Sequence, residues 1–486
     1  MKKLTKDQVT LAKHRRKTEK NRGKRQMKGM NIKTILERQK KYFASHATKG
    51  IDFRLKQLKK LRGALRAYED KIAFALYKDL HKSKAQAYLT ETGICMQEIT
   101  HIIKNLKAWA KPQNAAWPVL FPFSKNYIQR EPFGVVLVVS PWNYPFFLSL
   151  LPLMGALAAG NCVILKPSRH SPESARVLDE IISGCFGEEY IKVLRLAPGS
   201  KTDILKGKFD YIFFTGGEDA GKKILSAAAK HITPVTLELG GKCPCIVDSD
   251  IDLEKTAKRI AFGKFLNAGQ TCVSPDYILA EKGIKDRLVQ KIKQNIARMY
   301  GDNPQKSADY GRIINNGQFD RIAGYLACGD IAAGGKMDRR TGYMEPVLLE
   351  NVSPESKVMR DEIFGPVLPV IAYTGLEEAI GFVNKRQKPL VLYFFSRNKK
   401  KQEKVLNETC SGSACVNDTV IHLSSKELPF GGAGNSGFGR YRGKSSFDTF
   451  SNAKSVLKQT NLFDLDLRYP PVAKWAMKLL KLFLKG

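Results

Sequence analysis

The chain has 486 residues, enough for about three domains, or two large ones, at roughly 150 residues per domain. Hydrophobic residues make up 43% and charged residues 26%, which excludes a chain disordered throughout, a collagen and a coiled coil. Lysine and arginine number 81 against 46 aspartates and glutamates, a formal net charge of +35. A field of this sign attracts nucleic acid, acidic lipid surfaces or phosphorylated ligands, and it does not choose between them.

The first thirty residues are strongly basic. Residues 1–30 hold 12 Lys or Arg and 2 Asp or Glu with little apolar content, which predicts a disordered tail. Only charged sequence follows Lys2 and Lys3, so a secretory signal is not predicted. The 9 cysteines are odd in number and widely spaced, so they predict no disulfide framework and favour a reducing cytoplasm.

The first half of the chain predicts helices and then a parallel sheet. Residues 32–110 show leucines at helical spacing, and residues 111–130 are typical of an extended crossing segment. Five apolar strands separated by crossovers then predict a doubly wound sheet, which binds ligands at the carboxyl ends of its strands. These strands are predicted at 134–140, 162–167, 192–196, 211–215 and 235–239, with helices at 145–159, 172–185 and 217–231.

One stretch within this half has the length of a membrane span. No charged residue occurs from Pro132 to Leu165, but prolines and glycines interrupt the run. We therefore expect a buried strand, loop, helix and strand here.

The second half predicts a second α/β unit. Strands are expected at 245–248, 277–280, 346–350, 369–373 and 390–396, with helices such as 252–266 and 284–299 between them. A glycine-rich loop follows at 429–443.

Two residues stand out chemically. Glu238 lies at the end of a predicted buried strand, where a carboxylate is costly unless it is used or paired. Cys272 lies in a polar loop, NAGQTC, unlike the core cysteines. The two residues are either a nucleophile with its base or two structural residues, and the pair taken alone does not distinguish these roles.

The order of the motifs is more specific. The chain contains, in this order, PWNYP, LKPS, FTGG, LELGGK, GQTC, EIFGP and LPFGGAGNSGFGRYRGKSSFDTFS. Over residues 32–470 it resembles the aldehyde dehydrogenase superfamily, and EPFGVVLVVSPWNYPF, AAAKHITPVTLELGGK and YPP resemble its class 3, or fatty aldehyde dehydrogenase, branch. The resemblance implies two doubly wound α/β domains plus a small β oligomerisation element, and a homodimer.

The resemblance also implies a division of the chain. The expected parts are a basic tail (1–30), a dinucleotide-binding domain (31–110 and 135–237), a catalytic domain (238–434), a bridging and oligomerisation element (111–134 and 435–467) and a basic amphipathic tail (468–486).

The resemblance implies catalytic roles for three residues. Cys272 would attack the aldehyde, and the Asn143 amide with the Cys272 N–H would hold the oxyanion. Glu238 would activate the water that hydrolyses the thioester. The branch that acylates coenzyme A lacks a carboxylate at this position, so the free acid is the expected product.

Cofactor contacts follow from the same resemblance. Lys166 would bind the adenine ribose, and Gly216 with Gly217 would approach the pyrophosphate at a helix N-terminus. Glu362 would bind the nicotinamide ribose, and Phe364 would pack beside the nicotinamide.

Two departures from the family pattern affect the cofactor. Relatives that prefer NAD commonly have Glu where this chain has Arg169, and an arginine would pair with a 2′-phosphate, so NADP is favoured over NAD unless Arg169 simply faces solvent. Glu218 and Asp219 replace small hydroxyl residues and would repel a dinucleotide.

Other motifs support no separate activity. GGEDAGKK resembles a phosphate-binding loop but lacks the Ser or Thr that binds Mg²⁺. Cys243 and Cys245 have no partners at metal-ligand spacing, so no metal site is predicted, and we expect His422 to be a packing or surface residue.

The C-terminal segment predicts a basic amphipathic helix. Lys474, Lys478, Lys481 and Lys485 share one helical face opposite apolar residues. Residues 472–486 would lie on an anionic membrane, or would cap a dimer or the substrate entrance.

The sequence thus predicts a cytoplasmic, peripherally membrane-bound enzyme that oxidises medium- or long-chain aliphatic, or aromatic, aldehydes with NADP or NAD. The alternatives are a basic protein that binds nucleic acid or membrane, and a pseudoenzyme weakened by Glu218 and Asp219. A protein that only binds nucleic acid would not need the ordered series of motifs that resembles an aldehyde dehydrogenase, so nucleic acid is not the expected partner.

Overall fold

The computed structural model describes residues 32–116, 124–196, 204–462, 464 and 469–484, so the predicted tail 1–30 lies outside the described residues. The chain forms a π-helical turn at Tyr88–Thr92 and sixteen α-helices among these residues. The helices are α1 (Ile32–Ala44), α2 (Ile51–Ala67), α3 (Glu69–Leu80), α4 (Lys84–Ala87), α5 (Gly93–Trp109), α6 (Phe147–Ala159), α7 (Pro172–Cys185), α8 (Glu218–Ala229), α9 (Leu253–Phe265), α10 (Lys285–Tyr300), α11 (Asn316–Ala323), α12 (Lys357–Arg360), α13 (Leu376–Asn384), α14 (Lys399–Glu408), α15 (Gly443–Thr449) and α16 (Lys474–Leu484).

The strands form four sheets within these ranges. They are β1 (Gln113–Ala115), β2 (Lys125–Pro132), β3 (Val135–Val139), β4 (Cys162–Lys166), β5 (Ile191–Val193), β6 (Tyr211–Thr215), β7 (Val235–Glu238), β8 (Pro244–Val247), β9 (Tyr277–Glu281), β10 (Asp330–Ala333), β11 (Met337–Asp338), β12 (Tyr343–Met344), β13 (Val347–Glu350), β14 (Val367–Tyr373), β15 (Val391–Phe395), β16 (Ser413–Val416), β17 (Gly437–Phe438) and β18 (Ser451–Lys458).

The first sheet has the order β17-β7-β6-β3-β4-β5, and its last five strands are parallel. The five predicted strands are therefore confirmed, with the third shorter than expected because pairing ends at Val193. The chain runs outward from β3 to β5 and then returns to place β6 on the other side of β3. This reversal makes the carboxyl ends of β3 and β6 a topological switch point, where such sheets bind ligands.

The uncharged run from Pro132 to Leu165 forms β3, α6 and β4. Every residue of α6 is buried, and the helix packs against both strands. The long apolar run is thus the inner layer of a doubly wound domain, as predicted. Among the described residues, every helix is too short or too polar to cross a bilayer.

The second sheet has the order β10-β13-β14-β9-β8-β15-β16, parallel except for β10. The five predicted strands of the second half are confirmed. The sequence analysis missed β10 and β16 at the two edges, which pair on one side only and are only partly buried. Both α/β domains expected from the resemblance are therefore present.

A small antiparallel sheet, β1-β2-β18, joins residues from the two segments expected to form the bridging element. Residues 435–467 do not stay in one sheet, however. Gly437 and Phe438 instead pair with β7 in the first sheet. The two backbones approach so closely there that a Cβ added at Gly437 would come 2.0 Å from the Leu237 carbonyl oxygen. The domain boundaries and the role of this sheet in oligomerisation stay predictions.

Candidate active site

A cavity of about 720 Å³ opens at the switch point of the first sheet. Its walls include the segments that follow three of the parallel strands: Pro141–Tyr144 after β3, Gly216 and Gly217 after β6, and Leu239 and Gly240 after β7. Cys272 and Glu238 line the same cavity. The two residues that stood out in the sequence, 34 positions apart, are thus brought to one site.

Cys272 reaches the cavity through an irregular turn after α9. Asn267, Ala268 and Gly269 all have left-handed backbones, with φ of 53°, 52° and 73°. At Gly269 a side chain is excluded, since a Cβ would lie 2.2 Å from the Gly365 carbonyl oxygen. After this turn Cys272 lines the cavity that Glu238, the last residue of β7, also lines.

Burial raises the pKa of the Cys272 thiol to about 12, and the nearby carboxyl groups of Glu362 and Glu238 add to this effect. The backbone N–H groups of Cys272 and Val273 oppose it only in part. The resting cysteine is therefore a neutral thiol, which needs a base to become nucleophilic.

Glu238, in the same cavity, is the candidate for such a base. Its side chain is 3% exposed, and neither carboxyl oxygen has a hydrogen-bond partner among the described residues. Burial raises the pKa of Glu238 well above its usual value, and the charge of Arg440 offsets only part of that rise. A buried carboxyl group without a structural partner, beside a cysteine, is what general base catalysis requires.

Asn143 is tied to the cysteine loop. Its side-chain Nδ2 donates to the Gln270 carbonyl oxygen at 3.1 Å, and its own backbone carbonyl accepts from Asn267 Nδ2 at 3.0 Å. The neighbouring Tyr144 hydroxyl bonds to Thr271 Oγ1 at 2.7 Å. A side-chain amide carries two N–H groups, so one remains for a substrate oxygen.

Glu362 and Phe364 also line the cavity. The Glu362 carboxylate lies against Gly240, where an added Cβ would come 2.0 Å from Oε2. Burial, followed by the charge of Asp276, raises the pKa of Glu362 to about 8. Phe364 has a left-handed backbone, with φ of 49°, and its ring meets that of Trp142 edge-on at 5.4 Å.

The family follows from comparison with known proteins. The model of the aldehyde dehydrogenase family matches residues 6–456. The chain belongs to this family. It is 45% identical over 442 residues to "Aldehyde dehydrogenase, dimeric NADP-preferring" of Canis lupus familiaris, covering 90% of this chain and 98% of that one. It is 45% identical over 451 residues to "Aldehyde dehydrogenase family 3 member A2" of Mus musculus, covering 91% and 93%.

A solved structure agrees with these relatives. "Substrate bound state of Staphylococcus Aureus AldH" superposes with a TM-score of 0.91 at 44% identity, covering 93% of this chain and 100% of that one. The protein is therefore an aldehyde dehydrogenase of the expected class 3 branch, and its cofactor is NAD or NADP.

The residues expected to hold the dinucleotide fit such a ligand in this aldehyde dehydrogenase. Gly217 is the N-cap of α8 and uses no side chain to cap it, and an added Cβ would meet no atom within 4 Å, so the helix N-terminus is open to a phosphate. Lys166 ends β4 partly buried, with Arg169 exposed three residues on. Burial lowers the pKa of Lys166, and the charge of Arg169 lowers it further, so the two cations are close.

Glu218 and Asp219 have different surroundings, and their expected repulsion of a dinucleotide stays a prediction. Glu218 forms an ion pair with Lys222 at 2.8 Å, one turn along α8, whereas Asp219 lines the cavity. His422 is partly buried, and its ring centre lies 6.2 Å from that of Tyr393 and 6.3 Å from that of Phe430, which agrees with a packing role. No group of three metal-binding side chains occurs among the residues that the structure describes.

Sequence reasoning missed the residues that hold the two catalytic loops together. Gln270 donates to the carbonyl oxygens of Asn267 and Arg312 and accepts from Ile314 N, which fixes the turn before Cys272. Lys82 donates to the Asn143 carbonyl oxygen from a position 61 residues earlier. Gln270 lies inside the GQTC motif, but Lys82 carries no local signal.

Proposed function

We propose that the protein oxidises medium- or long-chain aliphatic, or aromatic, aldehydes to carboxylic acids through a thiohemiacetal and a thioester on Cys272. The observation that carries the proposal is the buried carboxyl group of Glu238, which lies in the same cavity as the Cys272 thiol and has no hydrogen-bond partner in the part of the chain that the structure describes. A structural carboxyl group would be satisfied by protein partners, whereas neither Glu238 carboxyl oxygen has a hydrogen-bond partner among the described residues, which leaves the group available to substrate and water.

The first step is attack by Cys272 on the aldehyde carbon. With a thiol pKa of about 12, the sulfur must lose its proton as the S–C bond forms, and Glu238 in its ionised form accepts that proton. The carbonyl oxygen becomes an oxyanion, which the free N–H of the Asn143 amide and the backbone N–H of Cys272 stabilise. Each such donor is typically worth about 3–4 kcal/mol in the transition state.

The second step converts the adduct to acid. Glu362 and Phe364 would hold the nicotinamide, which would accept the hydride that leaves the substrate carbon. Glu238, once its proton has passed to solvent, removes a proton from water, whose oxygen attacks the thioester carbon. The C–S bond breaks, the carboxylic acid leaves and Cys272 recovers its proton. Because burial raises the pKa of both Glu238 and Cys272, we expect turnover to increase as the pH is raised.

The cavity wall supports a hydrophobic aldehyde. Apolar side chains dominate it beyond Cys272, and they offer an alkyl chain or an aromatic ring van der Waals contact but few hydrogen bonds. These side chains are Leu89, Ile94, Phe147, Leu148, Phe262 and Ile421.

Arg169 supports NADP as the preferred cofactor. It is exposed beside Lys166, where both positive charges lower the pKa of His170 after burial does. This concentration of positive charge suits a 2′-phosphate better than a hydroxyl. The canine relative is named as NADP-preferring and dimeric, and a homodimer is part of the proposal.

The exposed apolar side of α16 supports peripheral membrane attachment. Trp475 and Leu482 are 62% and 71% exposed, and Lys478 and Lys481 lie on the same short helix. A helix of 11 residues with this composition suits an interfacial position on anionic lipid.

The test of the proposed activity is steady-state reduction of NADP⁺ and NAD⁺ by the purified protein with hexanal, a long-chain aldehyde and benzaldehyde. Turnover should vanish in Cys272→Ser. In Glu238→Gln, both the first turnover and kcat should fall by about 10²–10⁴-fold, since the Cys272 thiol is deprotonated and the thioester hydrolysed without their base. Absence of turnover in the folded wild-type protein would refute the proposal and direct attention to Asp219.

A further inference from the structure

A fully buried ion pair lies behind the Asn143 loop. Lys82 Nζ contacts Glu91 Oε1 at 2.7 Å, and the two side chains are 1% and 0% exposed. Neither residue lines the cavity, although Leu89 and Thr90 beside Glu91 do. The pair therefore cannot contact an aldehyde in the cavity directly, and its other contacts define what it can do.

Those contacts all fall on the segment that carries Asn143. Lys82 Nζ donates to the Asn143 carbonyl oxygen at 2.8 Å. Glu91 Oε2 accepts from Phe146 N at 2.8 Å and Phe147 N at 3.2 Å, two N–H groups at the start of α6 that have no partner within the helix. The pair thus holds the segment at Asn143 and again three and four residues later.

The backbone departs from regular helix to place both charges. Glu91 lies in the π-helical turn Tyr88–Thr92, and such turns are rare and frequent at functional sites. Gly93 follows it, where an added Cβ would lie 2.7 Å from the Tyr88 carbonyl oxygen. Lys82 follows His81, which has a left-handed backbone with φ of 58°. Two irregular turns therefore converge on one ion pair.

Stability alone does not account for such a pair. Removing two charges from water is costly, and well-packed apolar side chains of the same size often hold a fold equally well. An ion pair can in addition fix the positions of neighbouring backbone atoms, because here both charged groups form hydrogen bonds to defined backbone atoms. Lys82 also lies 3.9 Å from the centre of the Tyr144 ring, whose hydroxyl bonds to Thr271 beside Cys272.

We propose that Lys82 and Glu91 are positioning residues, which hold the Asn143 amide where the oxyanion forms above Cys272. The proposal deepens the proposed function and rests on it for the role of the oxyanion. Lys82 fixes the Asn143 carbonyl from one side, while Asn267 fixes the same oxygen from the cysteine loop. The two loops therefore share one carbonyl oxygen as their common anchor.

The chain offers a matched control. Glu98 and Arg442 form a second buried pair at 3.4 Å, each 1% exposed, and Glu98 also accepts a backbone N–H, that of Gly443, at 2.7 Å. This pair holds the start of α15 and makes no contact with Asn143. Glu98→Gln and Glu91→Gln are therefore the same chemical change at equally buried carboxylates, only one of which serves the oxyanion.

The experiment compares Glu91→Gln, Lys82→Met and Glu98→Gln in the full-length protein. The rate of Cys272 acylation is measured in two ways: formation of reduced dinucleotide in the first turnover with hexanal, and release of 4-nitrophenol from 4-nitrophenyl acetate without dinucleotide. We expect both rates to fall by about 10–100-fold in Glu91→Gln and Lys82→Met, because displacement of a donor by about 1 Å has effects of this order. Glu98→Gln should lower the melting temperature similarly and leave acylation within about twofold.

Two further variants separate positioning from stability. If Glu91 acts through Asn143, Asn143→Ala/Glu91→Gln should acylate no more slowly than Asn143→Ala alone. Lys82→Met/Glu91→Met should recover the melting temperature but not the acylation rate. Wild-type acylation in Glu91→Gln, or an equal further loss in the Asn143→Ala background, would overturn the proposal. A wild-type protein that is acylated by the ester but does not oxidise hexanal would refute the proposed oxidation, and the ester rates would still decide the role of the pair.

Discussion

Replacing Glu362 by glutamine should stabilise the fold while weakening the active site. Burial, followed by the charge of Asp276, raises the pKa of Glu362 to about 8, whereas a glutamate in an unfolded chain titrates near 4.3. At pH 7 the folded protein therefore keeps a proton that the unfolded chain has released. Between pH 4.3 and pH 7 the glutamate therefore lowers the free energy of unfolding by about 1.36 kcal/mol per pH unit, up to about 4 kcal/mol in all. A glutamine at this position does not titrate and avoids this loss.

The sign of this effect fixes its pH dependence. An acid whose pKa is raised by folding does not destabilise the protein at a pH below the pKa it has in the unfolded chain. Above that pH the loss in the free energy of unfolding grows until the pH reaches the pKa of the folded state. The advantage of Glu362→Gln should thus be small at pH 5 and largest near pH 8. Urea midpoints between pH 5 and pH 8 measure it, with exposed Glu355→Gln as the control, which should match the wild type throughout.

The same variant should bind the dinucleotide more weakly, since Glu362 is expected to bond the nicotinamide ribose. A midpoint difference that does not grow with pH, or a glutamine variant less stable at every pH, would refute the assignment of the raised pKa to burial of this carboxyl group. Gain of stability with loss of function is the expected pattern for a residue kept for catalysis rather than for the fold.

Three other substitutions test separate parts of the site. Arg169→Glu should shift the ratio of kcat/KM values from NADP towards NAD, and an unchanged ratio would mean that Arg169 faces solvent in the complex. Asn143→Ala should lower kcat by about 10²–10³-fold with the dinucleotide affinity unchanged, because only the transition state loses a donor; a loss confined to KM would contradict the oxyanion role. Deleting residues 472–486 should reduce sedimentation with anionic vesicles and spare hexanal oxidation, whereas undiminished sedimentation would assign membrane binding to another surface.

Strands inside the two parallel sheets were predictable because both of their faces are buried. Residues such as Val136, Ile164 and Phe213 form continuous apolar runs that no exposed element would carry. The edge strands were not predictable from composition. β17 consists of Gly437 and Phe438 alone. These two residues form a strand because they pair with the backbone of β7, and not because their own sequence favours a β-strand.

The sequence by itself predicted the candidate residues for the chemistry and the elements that present them. Glu238 ends an apolar strand and Cys272 follows a helix in a polar loop, and both are local patterns that a single segment of chain displays. Only the tertiary structure determined the pKa values of such groups and the hydrogen bonds that hold them. The pKa of about 12 at Cys272 and of about 8 at Glu362 arises from burial by distant segments, and the support of Asn143 by Lys82 joins residues 61 positions apart. Desolvation and long-range hydrogen bonds depend on which segments meet, and only packing determines that.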